Sequence, residues 1–373
     1  MRTRTLKLII CSLLFSSVFL GGAFAAGSQE KGDDEFVVGF IYVGPADDYG
    51  YNQAHAEGAD AVAKIPGVKV LEEELVPEAV EVQGTMKSMI ELDKADVLFP
   101  TSFGYFDPHI LAVAPKYPDV FFFHAGGLYQ EGKHPKNVGS YFGYIFEAQY
   151  LNGIAAGYAT KTNKLGFIAA IPIPQVLQNI NAFTLGAKSV NPDITTTVIF
   201  TGGWSDPVAE ANGANSLIDQ GVDVITMHVD SPKVIVQTAE GRGIYTAGYH
   251  ANQSDLAPKG YLTGAEWNWP GVYTQFVKTF MEGGSPGNFV RGGFKEGFIK
   301  MSPYGPAVSD EAKAKIDSVK AEMAGSGYVI FKGPLLDNKG NTVIEKGKSY
   351  DTTDPFLETM DYLVEGVIGS TGF

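Results

Sequence analysis

Cysteine is all but missing from the chain. Cys11 is the only one, and it falls inside the apolar run Leu8 to Leu20 near the N-terminus. That run follows Arg2, Arg4 and Lys7, is too short to span a bilayer comfortably, and precedes Ala23-Phe24-Ala25, a small-x-small cleavage pattern. Residues 1–25 therefore read as a signal peptide, with the mature chain starting near Ala26. Leu8-Ile9-Ile10 lack the small residue that lipid attachment at Cys11 needs, so a soluble secreted protein is expected and not a lipoprotein. Cleavage leaves no cysteine, which excludes disulfides, a thiolate nucleophile and zinc–thiolate sites. Basic residues are also few. Lys and Arg total 28 against 42 Asp and Glu, and losing three basic residues with the leader takes the formal charge from −14 to −17. So acidic a surface argues against nucleic-acid or anionic-membrane partners. A second long hydrophobic run is absent, as are a P-loop, an H-E-x-x-H helix and a G-x-G-x-x-G turn after a strand. The six histidines are scattered without metal-ligand spacing, so neither a metal nor a cofactor is expected.

What is present is alternation. Roughly 345 mature residues exceed one ordinary core, so two lobes are the expectation. Short apolar runs such as Phe36 to Val43, Val97 to Phe99, Val120 to Phe123, Leu165 to Ala169 and Val222 to Met227 read as buried strands. Helical patterns lie between them, among them Val82 to Leu92, Pro108 to Lys116 and Glu147 to Thr160. Two successive βαβ series of this kind predict two doubly wound lobes. Towards the C-terminus the pattern predicts helices over 270–282, 309–324 and 357–367 and a hairpin around Asp337-Asn-Lys-Gly340.

Open α/β sheets bind small molecules at the carboxyl edge of their strands. The loop after the first strand, Tyr42 to Gly58, carries Asp47, Asp48, Tyr49, Tyr51 and Asn52 there, a set suited to a flat, hydrogen-bonding ligand and ill suited to phosphate. Other expected strand ends add Phe103-Gly-Tyr105-Phe106, Trp204, His228 and Tyr249, with Trp267 and Trp269 after Tyr261 to Ala265. Asp107, Asp206, Asp230 and Asn268 lie beside them as polar partners. Aromatic walls with a few fixed polar groups describe a pocket for a planar heterocycle. Phe106 is as well explained as a core ring, whereas Trp204, in Gly202-Gly-Trp-Ser-Asp-Pro207, is a bulky ring in a loop.

An ordered set of motifs then carries a resemblance. Asp47-Asp-Tyr-Gly-Tyr-Asn-Gln53, Thr101-Ser-Phe-Gly-Tyr-Phe-Asp-Pro108, Tyr117-Pro-Asp-Val120 and Glu147-Ala-Gln-Tyr-Leu-Asn-Gly153 come first. Ile173-Pro-Gln-Val176, Lys188-Ser-Val-Asn-Pro192, Asp219-Gln-Gly-Val-Asp223 and Lys295-Glu-Gly-Phe298 follow. From about residue 36 to 300 the chain resembles the substrate-binding proteins of ABC importers in the basic membrane protein group, which includes purine nucleoside receptors. The resemblance implies the type I periplasmic binding protein fold, an α/β architecture of two Rossmann-like lobes joined by a three-crossing hinge. It places residues 36–143 plus 264–300 in an N-terminal lobe and 144–263 plus 301–373 in a C-terminal lobe, with crossings near Phe142–Tyr144, Leu262–Gly264 and Phe298–Met301. It implies a periplasmic, monomeric receptor that hands a small molecule to a membrane permease.

By position, Tyr51 corresponds to the aromatic that stacks on the purine, Asn52 and Asp48 to its polar neighbours, and Asp107 to an acid lining the first lobe. Two positions depart from the nucleoside-binding pattern. Gly248-Tyr-His-Ala-Asn-Gln253 puts His250 where relatives have an acid, and Trp267 aligns with their lysine. Both relatives' residues hold ribose hydroxyls, so a free nucleobase is expected in preference to a nucleoside. Rival readings are a nucleoside hydrolase using Asp47 and Asp48, a sensor without transport, and a flavin-type ligand.

Overall fold

The computed structural model describes residues 35–372 except Ser326. The expected signal peptide, Cys11 and Phe373 lie outside the described residues.

Apolar, β-branched runs become the buried central strands of two sheets, and more polar runs become their partly exposed edges. Five in succession build the first sheet: β1 (Phe36–Ile41), β2 (Val68–Glu73), β3 (Val97–Pro100), β4 (Phe121–Ala125) and β5 (Val138–Gly143). The second holds β6 (Lys164–Ala169), β7 (Thr195–Phe200), β8 (Val224–His228), β9 (Tyr245–His250) and β10 (Tyr261–Trp267). β11 (Phe289–Gly292) returns to the first sheet and β12 (Ile299–Met301) to the second. Their orders are β11-β5-β4-β3-β1-β2 and β12-β10-β9-β8-β6-β7. All neighbours are parallel except β12, which runs antiparallel to β10.

Right-handed crossovers need helices between parallel strands. α1 (Tyr51–Val62), α2 (Glu81–Glu91) and the short α3 (Leu111–Val113) serve the first sheet; α4 (Phe146–Ala159), α5 (Pro174–Lys188), α6 (Pro207–Asp219) and α7 (Lys233–Gly241) serve the second. α8 (Trp269–Met281) packs against α1, and α9 (Asp310–Ala324) against α4. The chain passes between the sheets after Gly143, after Trp267 and between Gly292 and Ile299. The second passage thus follows the end of β10, not residues 262–264, because β10 stays paired through Glu266 with β9 and through Trp267 with β12.

Two expected helices differ. Over 103–116 the chain winds through a 3₁₀ turn (Phe103–Tyr105), a π turn (Phe106–Ile110), α3 and a second 3₁₀ turn (Ala114–Lys116). Pro108 and Pro115 each lack the N–H that a regular helix needs. Over 357–367 only the 3₁₀ turn Pro355–Thr359 forms. Beyond it the backbone bonds outward: Asn181 Nδ2 donates to the Tyr362 carbonyl, Val364 N donates to Asn181 Oδ1, and Glu365 N donates to Leu336 O. The predicted hairpin is present. After a pair formed by β13 (Phe331–Lys332) with a later strand, β14 (Leu335–Leu336) runs antiparallel to β15 (Thr342–Ile344). β16 (Ser349–Tyr350) is the partner of β13, and β17 (Val367–Ile368) extends the second sheet beside β7.

Candidate functional site

The loop from β1 to α1 is shaped by its own side chains. Asp48 Oδ1 accepts from the amides of Gly50 (2.8 Å) and Gln53 (3.0 Å). Its Oδ2 accepts from the Asn52 amide (3.1 Å) and from Asn52 Nδ2 (2.8 Å). Asn52 Oδ1 in turn accepts from Gly44 N at 3.1 Å. Asp48 therefore satisfies amides at the start of α1 that have no partner within the helix. Burial raises its carboxyl, and the same hydrogen bonds oppose that rise. Asp47 is exposed. The two acids do not meet as a catalytic pair.

This bracket sets Tyr51 at the sheet edge. Its hydroxyl donates to the Thr101 carbonyl at 2.6 Å. Its half-buried ring meets His55 edge-on at 4.6 Å and His250 at 5.4 Å between centroids. The same loop touches the second sheet through backbone groups. Tyr51 N donates to the Asp230 carbonyl at 2.8 Å, and Gln253 Nε2 donates to the Tyr49 carbonyl at 2.6 Å. Gly50 lies against the Asp230 carbonyl, where a Cβ would overlap it.

Facing Tyr51, the ends of β7, β8 and β9 bring Trp204, His228, Asp230, Tyr249 and His250 together. Trp204 is half-buried, 5.7 Å from His228 between ring centroids, and its carbonyl accepts from Asp230 N at 2.7 Å. His228 and Tyr249 are buried side by side at 4.6 Å. His250 adopts φ +72 and packs 4.1 Å from Tyr249. The imidazoles here are neutral because burial disfavours their charged form: His228 and His55 are pulled down to about 3, and His250 falls well below its usual range.

The remaining expected residues divide by place. Trp267 is fully buried behind His250, and its indole N–H donates to His250 Nδ1 at 2.8 Å. An indole nitrogen can only donate, so His250 Nδ1 is an acceptor and its proton sits on Nε2. Trp267 also stacks on Trp269 at 4.9 Å and 13°, and Trp269 on Tyr273 at 5.6 Å and 10°. Phe103 stands 62 % exposed on the first sheet's edge. Tyr105 is buried in the first sheet's core, its hydroxyl bonded to the Val76 carbonyl, and Asp107 is exposed at the turn beyond. Neither reaches the cluster around His250.

Asp230 stands apart electrostatically. Its backbone is fully engaged, yet its carboxylate has no hydrogen-bond partner among the described residues. Burial raises this carboxyl well above the ordinary range, and the negative charges of Asp48, Glu78 and Glu210 raise it further. An unpartnered acceptor on a residue bonded through its backbone to Tyr51 and Trp204 can receive N–H groups on the edge of a bound ring. Among the described residues no group of three or more His, Cys, Asp or Glu is placed to hold a metal ion, and no helix is long and apolar enough to cross a membrane.

Sequence reading missed two neighbours. His55 sits in α1, stacked on Trp269 at 5.4 Å and bonded through Nδ1 to the Tyr273 hydroxyl. Asn179 in α5 donates to His228 and Tyr249. The signal for the latter was available in the run of amides Gln175, Gln178, Asn179 and Asn181 within an otherwise apolar helix.

A family model described as "ABC transporter substrate-binding protein PnrA-like" matches residues 35–329. A purine-binding protein of Brucella abortus is 34% identical over 92% of this chain and 96% of its own length. A putative ABC transporter glucose-binding protein of Haloferax volcanii is also 34% identical, over 88% of this chain and 80% of its own. Among solved structures, an ABC transporter solute-binding protein from Conexibacter woesei superposes with a TM-score of 0.66 at 22% identity, covering 78% of this chain and 97% of that one. A solute-binding protein from Aeropyrum pernix gives 0.67 at 21% identity, with coverages of 79% and 93%. The shared fold is that of type I periplasmic binding proteins.

Proposed function

The chain belongs to the Bmp family of PnrA-like ABC transporter substrate-binding proteins, and from that premise we propose that it is an extracytoplasmic receptor for a purine-type ligand, the free base in preference to the nucleoside. The observation that carries this reading is the unpartnered carboxylate of Asp230, whose backbone bonds directly to Tyr51 and Trp204, two half-buried aromatic residues at the edges of the two sheets. A purine offers two faces for those rings and N–H donors on its edge for the acid. The likeness to the Brucella purine-binding protein supports the same ligand class. The two sheets with their helices act as lobes that close on the ligand about the three passages, and the closed form is the one delivered to a permease.

The preference for the base rests on His250. An imidazole held neutral, with Nδ1 occupied by Trp267, has no charge with which to hold ribose hydroxyls. Titration calorimetry with adenine, hypoxanthine, guanine, their nucleosides and glucose tests the assignment. Each base should bind roughly tenfold more tightly than its nucleoside, the scale of one lost charge-assisted hydrogen bond, and be recovered unchanged after incubation. Equal or tighter nucleoside binding overturns the base preference; tighter binding of glucose, the ligand named for the Haloferax relative, overturns the purine class. Catalytic turnover overturns the receptor reading.

The walls should be separable from the core. Tyr51→Ala and Trp204→Ala are each expected to weaken binding roughly ten- to hundredfold, the scale of lost base stacking, with little change in Tm. A sharp fall in Tm at unchanged affinity identifies either ring as packing only.

A further inference from the structure

We propose that Asn179 is a specificity-determining residue of this cleft, an obligatory acceptor that selects ligands carrying an N–H donor opposite it. The inference rests on the purine reading of the same site and names the ligand edge that the site requires.

The argument is an inventory of one amide. Asn179 is fully buried on α5. Its Nδ2 has two hydrogens, and both have partners: His228 Nδ1 at 2.7 Å and the Tyr249 hydroxyl at 2.8 Å. Its Oδ1 has none. Reversing the amide would hand both neighbours to the oxygen and strand two N–H groups, so the orientation with the nitrogen towards His228 and Tyr249 leaves fewer buried groups unsatisfied. The donors are thereby committed to the wall, and the oxygen alone remains for a ligand.

The residue also borders open space. A cavity of about 230 Å³ between the two sheets is lined by Asn179, Ile173 and Gln175 on one side and by Phe103, Leu128 and Arg291 on the other. Tyr249 and His228, the two groups that orient the amide, are the neighbours of His250 and Trp204 in the aromatic cluster. Asn179 thus joins the cavity to the rings. Its unpartnered oxygen calls for a ligand edge that carries an N–H donor. Aminopurines and lactam purines have such edges; a ring methylated at the nitrogen facing Asn179 presents carbon to a buried oxygen.

The experiment is a methyl scan against two proteins. Dissociation constants are measured for adenine and hypoxanthine and for their singly N-methylated isomers, with wild type and with Asn179→Leu. In wild type, one methyl isomer of each base should bind about thirtyfold more weakly than its parent because of the stranded acceptor. In Asn179→Leu the parent base should lose about that factor and methylation at that position should add less than about threefold, since the acceptor is already gone. A merely structural role for Asn179 lowers all ligands alike and leaves the methyl penalties equal in the two proteins, which overturns the assignment. Asn179→Asp is the second variant: it keeps an acceptor, His228 can satisfy it by carrying its proton on Nδ1, and the wild-type methyl discrimination should persist. Loss of that discrimination in the aspartate variant also overturns the proposal. Wild-type protein that binds neither parent base overturns the purine reading, and this assignment with it.

Discussion

Asp230→Asn is expected to weaken ligand binding about a hundredfold or more while raising Tm at neutral pH. The first half follows from charge-assisted hydrogen bonds, worth roughly 1.5–3 kcal/mol each, made by a carboxylate that otherwise has no partner. An asparagine keeps one acceptor and turns an amide towards the ligand's own donors. The second half follows from proton linkage. Below the ordinary carboxylate range Asp230 is protonated in folded and unfolded chain alike and contributes nothing. As pH rises, the unfolded chain releases this proton while the folded chain retains it, because burial and the Asp48, Glu78 and Glu210 charges oppose ionisation. Stability therefore falls with rising pH until the raised value is passed, and the asparagine removes that cost. Ligand donors need the ionised form, so wild-type affinity should decline as pH falls through the raised value, and this acid limb should vanish in the variant. Calorimetric titration across pH and a thermal melt decide it together. Unchanged affinity, or a lowered Tm, shows that Asp230 is a structural acid.

Gly50→Ala should also cost about two orders of magnitude in affinity, by a route that never touches the ligand. The three atoms that an added Cβ would meet first all belong to Asp230 and Pro232, across the interface between the two halves. The methyl would force apart the contact in which Tyr51 N donates to the Asp230 carbonyl. One hydrogen bond with a steric overlap amounts to about 3 kcal/mol against the closed form, and apparent affinity falls with the closed population. These nearest atoms all lie outside the first sheet, so Tm should change little. Small-angle scattering of the variant with saturating ligand should retain the open profile. A compact profile at wild-type affinity would show that closure tolerates the methyl.

The strands were legible because a parallel sheet covered on both faces must be written in near-continuous apolar runs, and β1, β4 and β8 are such runs. Trp204, His228, Asp230 and Tyr249 were legible for the same reason, since the carboxyl end of a strand is fixed once the strand is found. Roles were harder. Asp48 and Asn52 have the chemistry of ligand contacts, but in the folded chain their polar atoms hold the loop itself. Nothing in a sequence tells whether an acid at a helix start caps the helix or faces a cleft. Asn179 escaped for the opposite reason: a polar residue inside a helix looks like a solvated position until the helix is seen to be buried. The C-terminal stretch misled because its helical spacing is overruled by partners far away in sequence, Asn181 and Leu336 among them.

The stacked indoles at the second passage give the molecule an optical signature. Trp267 ends the last long strand of the second sheet and Trp269 begins the helix that packs on the first, so a change in the angle between the halves turns one chromophore against the other. Their coupled near-ultraviolet dichroism should follow that angle. Trp204 is the third tryptophan of the chain and the only half-exposed one, and it lies at the cleft away from the pair. Its emission should shift when a ring covers it and not when the halves merely rotate. One unlabelled protein thus carries two colours of signal, dichroism for closure and fluorescence for occupancy, and the delay between them in a stopped-flow trace gives the order in which ligand capture and closure occur.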